Sequence, residues 1–224
     1  MPKTLTLSIQ DYLKVIYDLT SSGEPASTTA LAGRLGISPA SVTGMVQKMA
    51  GLRPPLVLYR KHRGVLLTAG GKRAALEVIR HHRLLETWLV QSLGYSWDRV
   101  HSEAENLEHA ISDEMEQRIS AALGDPERDP HGDPIPSRDL RMPADQSVPL
   151  TELRAGQAAV VRRVHAQEPR LLRHLEKLGI TPGAELKVVE ATQDQKTMHL
   201  QVGRSPNPTL LDVSAANGIY IDIG

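Results

Sequence analysis

Four residues near the middle of the chain are spaced for metal chemistry. His101 and Glu105 stand four apart, Glu105 and Glu108 three apart, and Glu105 and His109 four apart. On one continuous helix they would share a single stripe. Carboxylates stacked on one face repel unless a cation or a partner neutralises them. His82 and Glu86, again four apart, form a second pair upstream, and four of the nine histidines fall between positions 81 and 109. The chain has no cysteine. Oxygen and imidazole donors without thiolate suit Mn²⁺ or Fe²⁺ and disfavour Cu(I) or a thiolate zinc site. The same absence removes disulfides, Fe–S clusters and cysteine nucleophiles.

A different chemistry is spaced out near the N-terminus. Ser38, Pro39, Ala40, Ser41 and Thr43 open a helical pattern, and Gln47 and Lys48 lie further along it. A duplex major groove admits one helix, whose N-terminus can deliver short polar side chains to base edges. Downstream, the turn Arg60-Lys61-His62-Arg63 places three permanent cations where a wing would straddle a phosphate backbone. A helical hairpin with a solvated charged turn is the plainer alternative. The order helix, glycine turn, helix, basic hairpin favours a winged helix-turn-helix.

Several elements must position these groups. Apolar spacing predicts a helix from Ser8 to Thr20, with Ser8 as N-cap, and shorter helices over Thr28–Leu35 and Ser38–Ala50 separated by Gly36. Ser38 followed by Pro39 is a good helix start. Leu56–Thr68 reads as two strands around the basic turn. Long helices are predicted over Ala69–Leu93 and Arg99–Leu123. The stretch Gly124–Pro149 carries six of the 15 prolines and cannot be regular helix or central strand. Beyond it, β-like segments at Ala158–Val164, Glu185–Ala191, Thr197–Val202 and Ile219–Ile223, with a helix over Pro169–Leu178, predict a small β-barrel. The fold class is mainly α with β.

The 224 residues carry 26 Lys+Arg and 26 Asp+Glu, but the charges segregate. Residues 1–80 hold 11 basic and 4 acidic side chains, residues 81–150 hold 6 and 14, and the remainder 9 and 8. A basic front could meet phosphate and an acidic middle could hold cations. With no Phe, two Trp and five Tyr, aromatic base-stacking platforms for single strands are disfavoured. The N-terminus has no signal-peptide pattern, and no stretch approaches the roughly 18–20 apolar residues of a membrane span, so a cytoplasmic protein without a membrane partner is expected.

Together these motifs resemble the diphtheria-toxin-repressor family, and within it the manganese transport regulators. The resemblance covers essentially the whole chain. It rests on Gln10-Asp11-Tyr12-Leu13 with Ile16-Tyr17, on Ser38-Pro39-Ala40-Ser41-Val42-Thr43 with Met45-Val46, and on Arg60, Arg63-Gly64 and Leu67-Thr68. It continues through His81-His82-Arg83-Leu84-Leu85-Glu86, Glu105, Glu108-His109, and Asp129-Pro130-His131-Gly132-Asp133-Pro134-Ile135-Pro136. The resemblance implies a winged helix-turn-helix DNA-binding domain over residues 1–73. A helical dimerisation and metal-binding domain with its Pro-rich linker would follow over 74–145, and an SH3-like domain over 146–224. It implies a homodimer that binds palindromic double-stranded operators when divalent metal is present.

The family's primary metal site would map to Asp11, Glu105, Glu108 and His109. Its ancillary site would map to His82, Glu86 and His101, with a ligand from the SH3-like domain, for which Glu168 is the choice and His165 the weaker one. Iron-responsive members carry methionine where this chain has Asp11 and cysteine where it has Glu105. The harder ligands here imply Mn²⁺, with Fe²⁺ the alternative. Short-type manganese regulators have a second carboxylate one turn after Asp11. Here that residue is Lys14, which implies two separated ions per subunit instead of a binuclear cluster. The expected function is a manganese-dependent repressor of metal-homeostasis or transport genes, and not an enzyme. A metal-dependent hydrolase with Glu105 or Glu108 as base, and a regulator sensing a small organic ligand, are the rivals.

Overall fold

The computed structural model describes residues 5–165, 168–191, 196–205 and 207–223. Two compact units emerge. The first comprises Met1–His82, Glu108–Ile111 and Pro136–Met142, and the second Arg83–Leu107, Ser112–Ile135 and Pro143–Gly224.

In the first unit the order is α1 (Leu7–Leu19), α2 (Thr28–Leu35), α3 (Pro39–Ala50), β1 (Val57–Arg60), β2 (Gly64–Leu67) and the start of α4 (Ala69–Leu93). Local chemistry sets the boundaries. Ser27 caps α2 by accepting from Ala30 N at 3.0 Å, and Ser38 caps α3 by accepting from Ser41 N at 3.2 Å. Gly36 ends α2 at φ 66°, a left-handed conformation that costs glycine least. The start of α1 differs from the sequence expectation: its N-cap is Thr6, without a side-chain bond, and Ser8 lies inside the helix. Leu13, Ile16, Leu31, Val42, Val46 and Val65 have no exposed surface and join the three helices to the hairpin. Gly71 seats α4 against Leu56, because a Cβ there would fall 2.0 Å from the Leu56 carbonyl oxygen.

The second unit holds the rest of α4, then α5 (Val100–Leu107), α6 (Asp113–Ala122) and the proline-rich connection. The predicted single helix Arg99–Leu123 is thus two. Ser112 accepts from Met115 N at 3.2 Å and starts α6, whose first turn carries Asp113, Glu114 and Glu116. That cap interrupts the helix, and Glu108 and His109 lie in the turn beyond α5.

A six-stranded antiparallel sheet follows, with strand order β3-β8-β4-β5-β6-β7. Its strands are β3 (Val148–Pro149), β4 (Ala158–Val164), β5 (Glu185–Ala191), β6 (Thr197–Val202), β7 (Thr209–Asp212) and β8 (Ile219–Ile223). α7 (Pro169–Lys177) and α8 (Val213–Ala216) accompany them. Leu150, Leu175, Ile180, Val188, Leu200 and Ile221 form its core, which Trp97 joins. Leu84, Leu85 and Leu89 of α4 are buried within the chain itself.

Candidate metal centres and nucleic-acid interface

The first unit gathers Asp11, Glu108 and His109, whose ligand atoms all lie within 4.8 Å of one another. α1 delivers Asp11, and the turn after α5 delivers the other two. Asp11 Oδ1 is 3.0 Å from His109 Nε2, and Glu108 Oε1 is 3.5 Å from the same nitrogen. His109 Nδ1 lies 2.6 Å from Gln10 Oε1. The amide of Gln10 is oriented by its Nε2, which donates to the Leu5 carbonyl at 3.2 Å. Oε1 is therefore the atom that faces His109, and Nδ1 must carry the proton. Nε2 is then the ring nitrogen turned toward the two carboxylates, the position from which a metal ligand would bind.

Glu108 is the buried anchor of this group. Its side chain has no exposed surface, whereas Asp11 retains 45% and His109 12%. Lys14 Nζ donates to Glu108 Oε1 at 2.7 Å, and Glu108 Oε2 contacts His82 Nδ1. The Glu108 carbonyl is 3.2 Å from His81 Nδ1. Burial alone opposes the Glu108 charge, but His82 and Lys14 together outweigh it and hold the carboxyl below its ordinary value.

The second unit builds another group from Glu86, Asp129 and His131, again with ligand atoms within 4.8 Å. All three are buried. His131 Nε2 is 2.8 Å from the Trp97 carbonyl, which can only accept, so Nε2 carries the proton. Nδ1 then faces Glu86 Oε2 at 3.6 Å. Asp129 Oδ1 accepts from the backbone N of His131 at 2.8 Å and of Asp133 at 3.0 Å, which fixes the loop. Gly132 is required there: a Cβ would stand 2.1 Å from the Arg162 carbonyl oxygen, and its φ is 86°. Burial pushes the Asp129 carboxyl upward, and Glu86 and Asp133 add to it. Burial opposes the charge of His131, yet Glu86 and Asp129 raise it to about 9. Two buried carboxylates and one imidazole offer the oxygen and nitrogen donors that a divalent cation takes.

The residues singled out in the sequence fall as follows. Asp11, Glu108 and His109 come together. Glu105 is half-exposed on α5 in the second unit, 3.5 Å from His101 Nε2. His82 turns to Glu108, and Glu86 is 3.0 Å from His101 Nδ1. Burial opposes the positive charge on His101, but Glu105 and Glu86 raise its value to about 9. Glu168 is exposed at the N-cap of α7, and among the described residues it is in no ligand group. His165 is 3.8 Å from Asp133. Sequence reasoning missed Gln10, Asp129 and His131. The Asp-x-His-Gly run in a proline-rich loop was the available signal for the last two.

The nucleic-acid face is open. Ser38, Pro39, Ala40, Ser41, Gln47, Lys48, Arg60, Lys61 and Arg63 are exposed. Thr43 is half-buried, and its hydroxyl donates to the Pro39 carbonyl at 2.9 Å. Ser38 and Ser41 share a 2.9 Å contact between hydroxyls. The hairpin pairs Arg60 with Gly64, and His62 takes φ 63° at its tip, so the three cations bracket a tight turn. Among the described residues no helix is long and apolar enough to cross a membrane.

Three family models match in sequence order. They are an iron dependent repressor N-terminal DNA binding domain over residues 4–65, an iron dependent repressor metal binding and dimerisation domain over 68–137, and a FeoA domain over 148–222. The chain is 36% identical over 189 residues to the iron-dependent repressor IdeR of Mycobacterium leprae, covering 79% of this chain and 81% of that protein. It is 30% identical over 206 residues to the diphtheria toxin repressor of Corynebacterium jeikeium, covering 82% and 85%. Among solved structures it resembles a manganese-dependent transcriptional repressor in complex with manganese, with TM-score 0.86 and 38% identity over 96% of this chain and 100% of that one. The manganese regulator SloR gives TM-score 0.79 and 30% identity over 98% and 100%.

Proposed function

The chain belongs to the family of metal-dependent transcriptional repressors that includes the iron-dependent repressors and the diphtheria toxin repressor, and from that premise we propose that it is a manganese(II)-dependent repressor of metal-homeostasis genes. The observation that carries this reading is the grouping of Asp11, Glu108 and His109. Two carboxylates and one imidazole, without sulfur, fit a hard divalent ion. Asp11, Glu108 and His109 would hold the first ion, and Glu86, Asp129 and His131 a second, with His101 beside Glu86. An ion bound there supplies a charge cross-link between donors of different elements.

Asp11 sits on α1, which packs on α2 and α3 through Leu13 and Ile16. Glu108 and His109 sit in the turn after α5. The ligands therefore come from two elements, α1 and the turn after α5, which a shared ion would tie together. Gln10 holds the His109 proton at Nδ1, and His82 orients Glu108. The exposed α3 start then reads bases while Arg60, Lys61 and Arg63 contact phosphate. As a homodimer on a palindromic operator, the protein would present two such helices about 34 Å apart. It works in the cytoplasm, where its DNA is, and performs no catalysis.

The test is a fluorescence-anisotropy titration of operator DNA with Mn²⁺, Fe²⁺, Zn²⁺ or chelator at fixed salt, since phosphate contacts make affinity steeply salt-dependent. Tighter binding with Mn²⁺ than with chelator supports the reading. Metal-independent binding overturns it. Fe²⁺ as the activating ion is the second reading, favoured by the names of the curated relatives. Stronger activation by anaerobic Fe²⁺ than by Mn²⁺ at equal concentration would select it.

A further inference from the structure

Lys14 stands one turn after Asp11 on α1. Its ammonium donates to Glu108 Oε1 at 2.7 Å. That oxygen is the one 3.5 Å from His109 Nε2, on the side of the carboxylate that faces the ligand group. The Lys14 side chain is 17% exposed and that of Glu108 is fully covered, so water screens this pair poorly. A carboxylate without solvent needs positive partners. Glu108 has His82 on Oε2 and Lys14 on Oε1.

We infer that Lys14 is a resident cation of the metal site: its ammonium stabilises Glu108 before metal arrives and opposes the divalent ion afterwards, setting the concentration at which the site fills. The inference rests on reading Asp11, Glu108 and His109 as ligands. Lys14 is not itself a ligand, because a protonated ammonium offers donors and no lone pair. It acts through Glu108 in two ways. An incoming ion must share or displace a contact that already satisfies Oε1. Any ion that does bind then sits beside a fixed positive charge. Even at about 5 Å and with full water-like screening, the weakest case, a unit cation weakens binding of a divalent one on the order of ten-fold.

The test is calorimetric titration of Mn²⁺ alone into the full-length wild type, Lys14→Met, Lys14→Arg and Asp11→Ala, with thermal unfolding of each in chelator and in saturating Mn²⁺. Lys14→Met should bind Mn²⁺ about ten-fold more tightly, and Lys14→Arg should stay within about three-fold of wild type. In chelator Lys14→Met should unfold at a lower temperature than wild type, and saturating Mn²⁺ should narrow that gap. If Lys14→Met does not fold in chelator, Lys14→Gln carries the same expectation of tighter binding. Equal or weaker Mn²⁺ binding by the neutral variant overturns the role of Lys14. A wild type that takes up no ion lost in Asp11→Ala overturns instead the assignment of the ligands.

Discussion

The two ligand groups use the same donor types and differ in their access to water. Asp11 keeps 45% of its side chain exposed, while Glu86 and Asp129 keep 2% each and His131 7%. One group has an open side and a built-in ammonium beside its buried carboxylate. The other is closed, and its imidazole is locked between a backbone carbonyl and a carboxylate. If both groups hold ions as proposed, an open group with a competing charge would exchange its ion and respond to concentration. A closed group must open to exchange, which suits a structural role within its own unit.

The largest expected effect is in the closed group. His131→Ala removes the imidazole between Glu86 and Asp129, leaving Glu86 to His101 and Asp129 to Arg83 and two backbone N–H groups. It should destabilise the chelated protein by about 3 kcal/mol in urea unfolding. A loss below about 1 kcal/mol would show that the group is not closed in solution.

Asp11→Ala should leave stability nearly unchanged and abolish metal activation of operator binding, a loss of roughly 5–150-fold by anisotropy. Retained activation would erase the contrast between the groups. Gln10→Leu should weaken Mn²⁺ binding by roughly ten-fold or more, by freeing the proton on His109 to move between nitrogens. Nitrogen NMR of the His109 ring should change from a single tautomer to a mixture.

The smallest effect comes from an ion pair outside both groups. Asp98 accepts from Arg173 at 2.6 Å, and its value is lowered by a bond from Ser96, against opposition from burial, with Arg173 adding. A folded-state value below the unfolded one contributes stability above the unfolded value and loses it as pH falls through the folded one. Arg173 is half-exposed, so Asp98→Asn should cost about 1 kcal/mol at pH 7, a difference that shrinks as pH falls past the ordinary carboxylate value and is gone below the lowered folded one.

Much of this architecture was legible from the chain. Ser38-Pro39 marks the start of α3, because a cap and a proline at the first helical position are local chemistry. The bounds of α4, β4, β5, β6 and β8 follow from apolar period. β7 was missed because a four-residue strand among Ser, Pro and Asn carries almost no periodic signal. The single helix over Arg99–Leu123 was misjudged for a different reason. Spacing arithmetic assumes an unbroken helix, and Ser112 with its acidic first turn announces a break that was not weighed. Asp129 and His131 were invisible as ligands because a loop has no period, and the contacts that fix this one, such as the Trp97 carbonyl against His131, are distant in sequence.

The ring of Trp97 stacks on His131 with centroids 5.6 Å apart and planes inclined by 22°. Manganese is paramagnetic, and unpaired electron spins quench an excited indole at short range. The chain has only one other tryptophan, Trp88. The closed group therefore lies against its own optical reporter, whose dimming would time the arrival of an ion without any label.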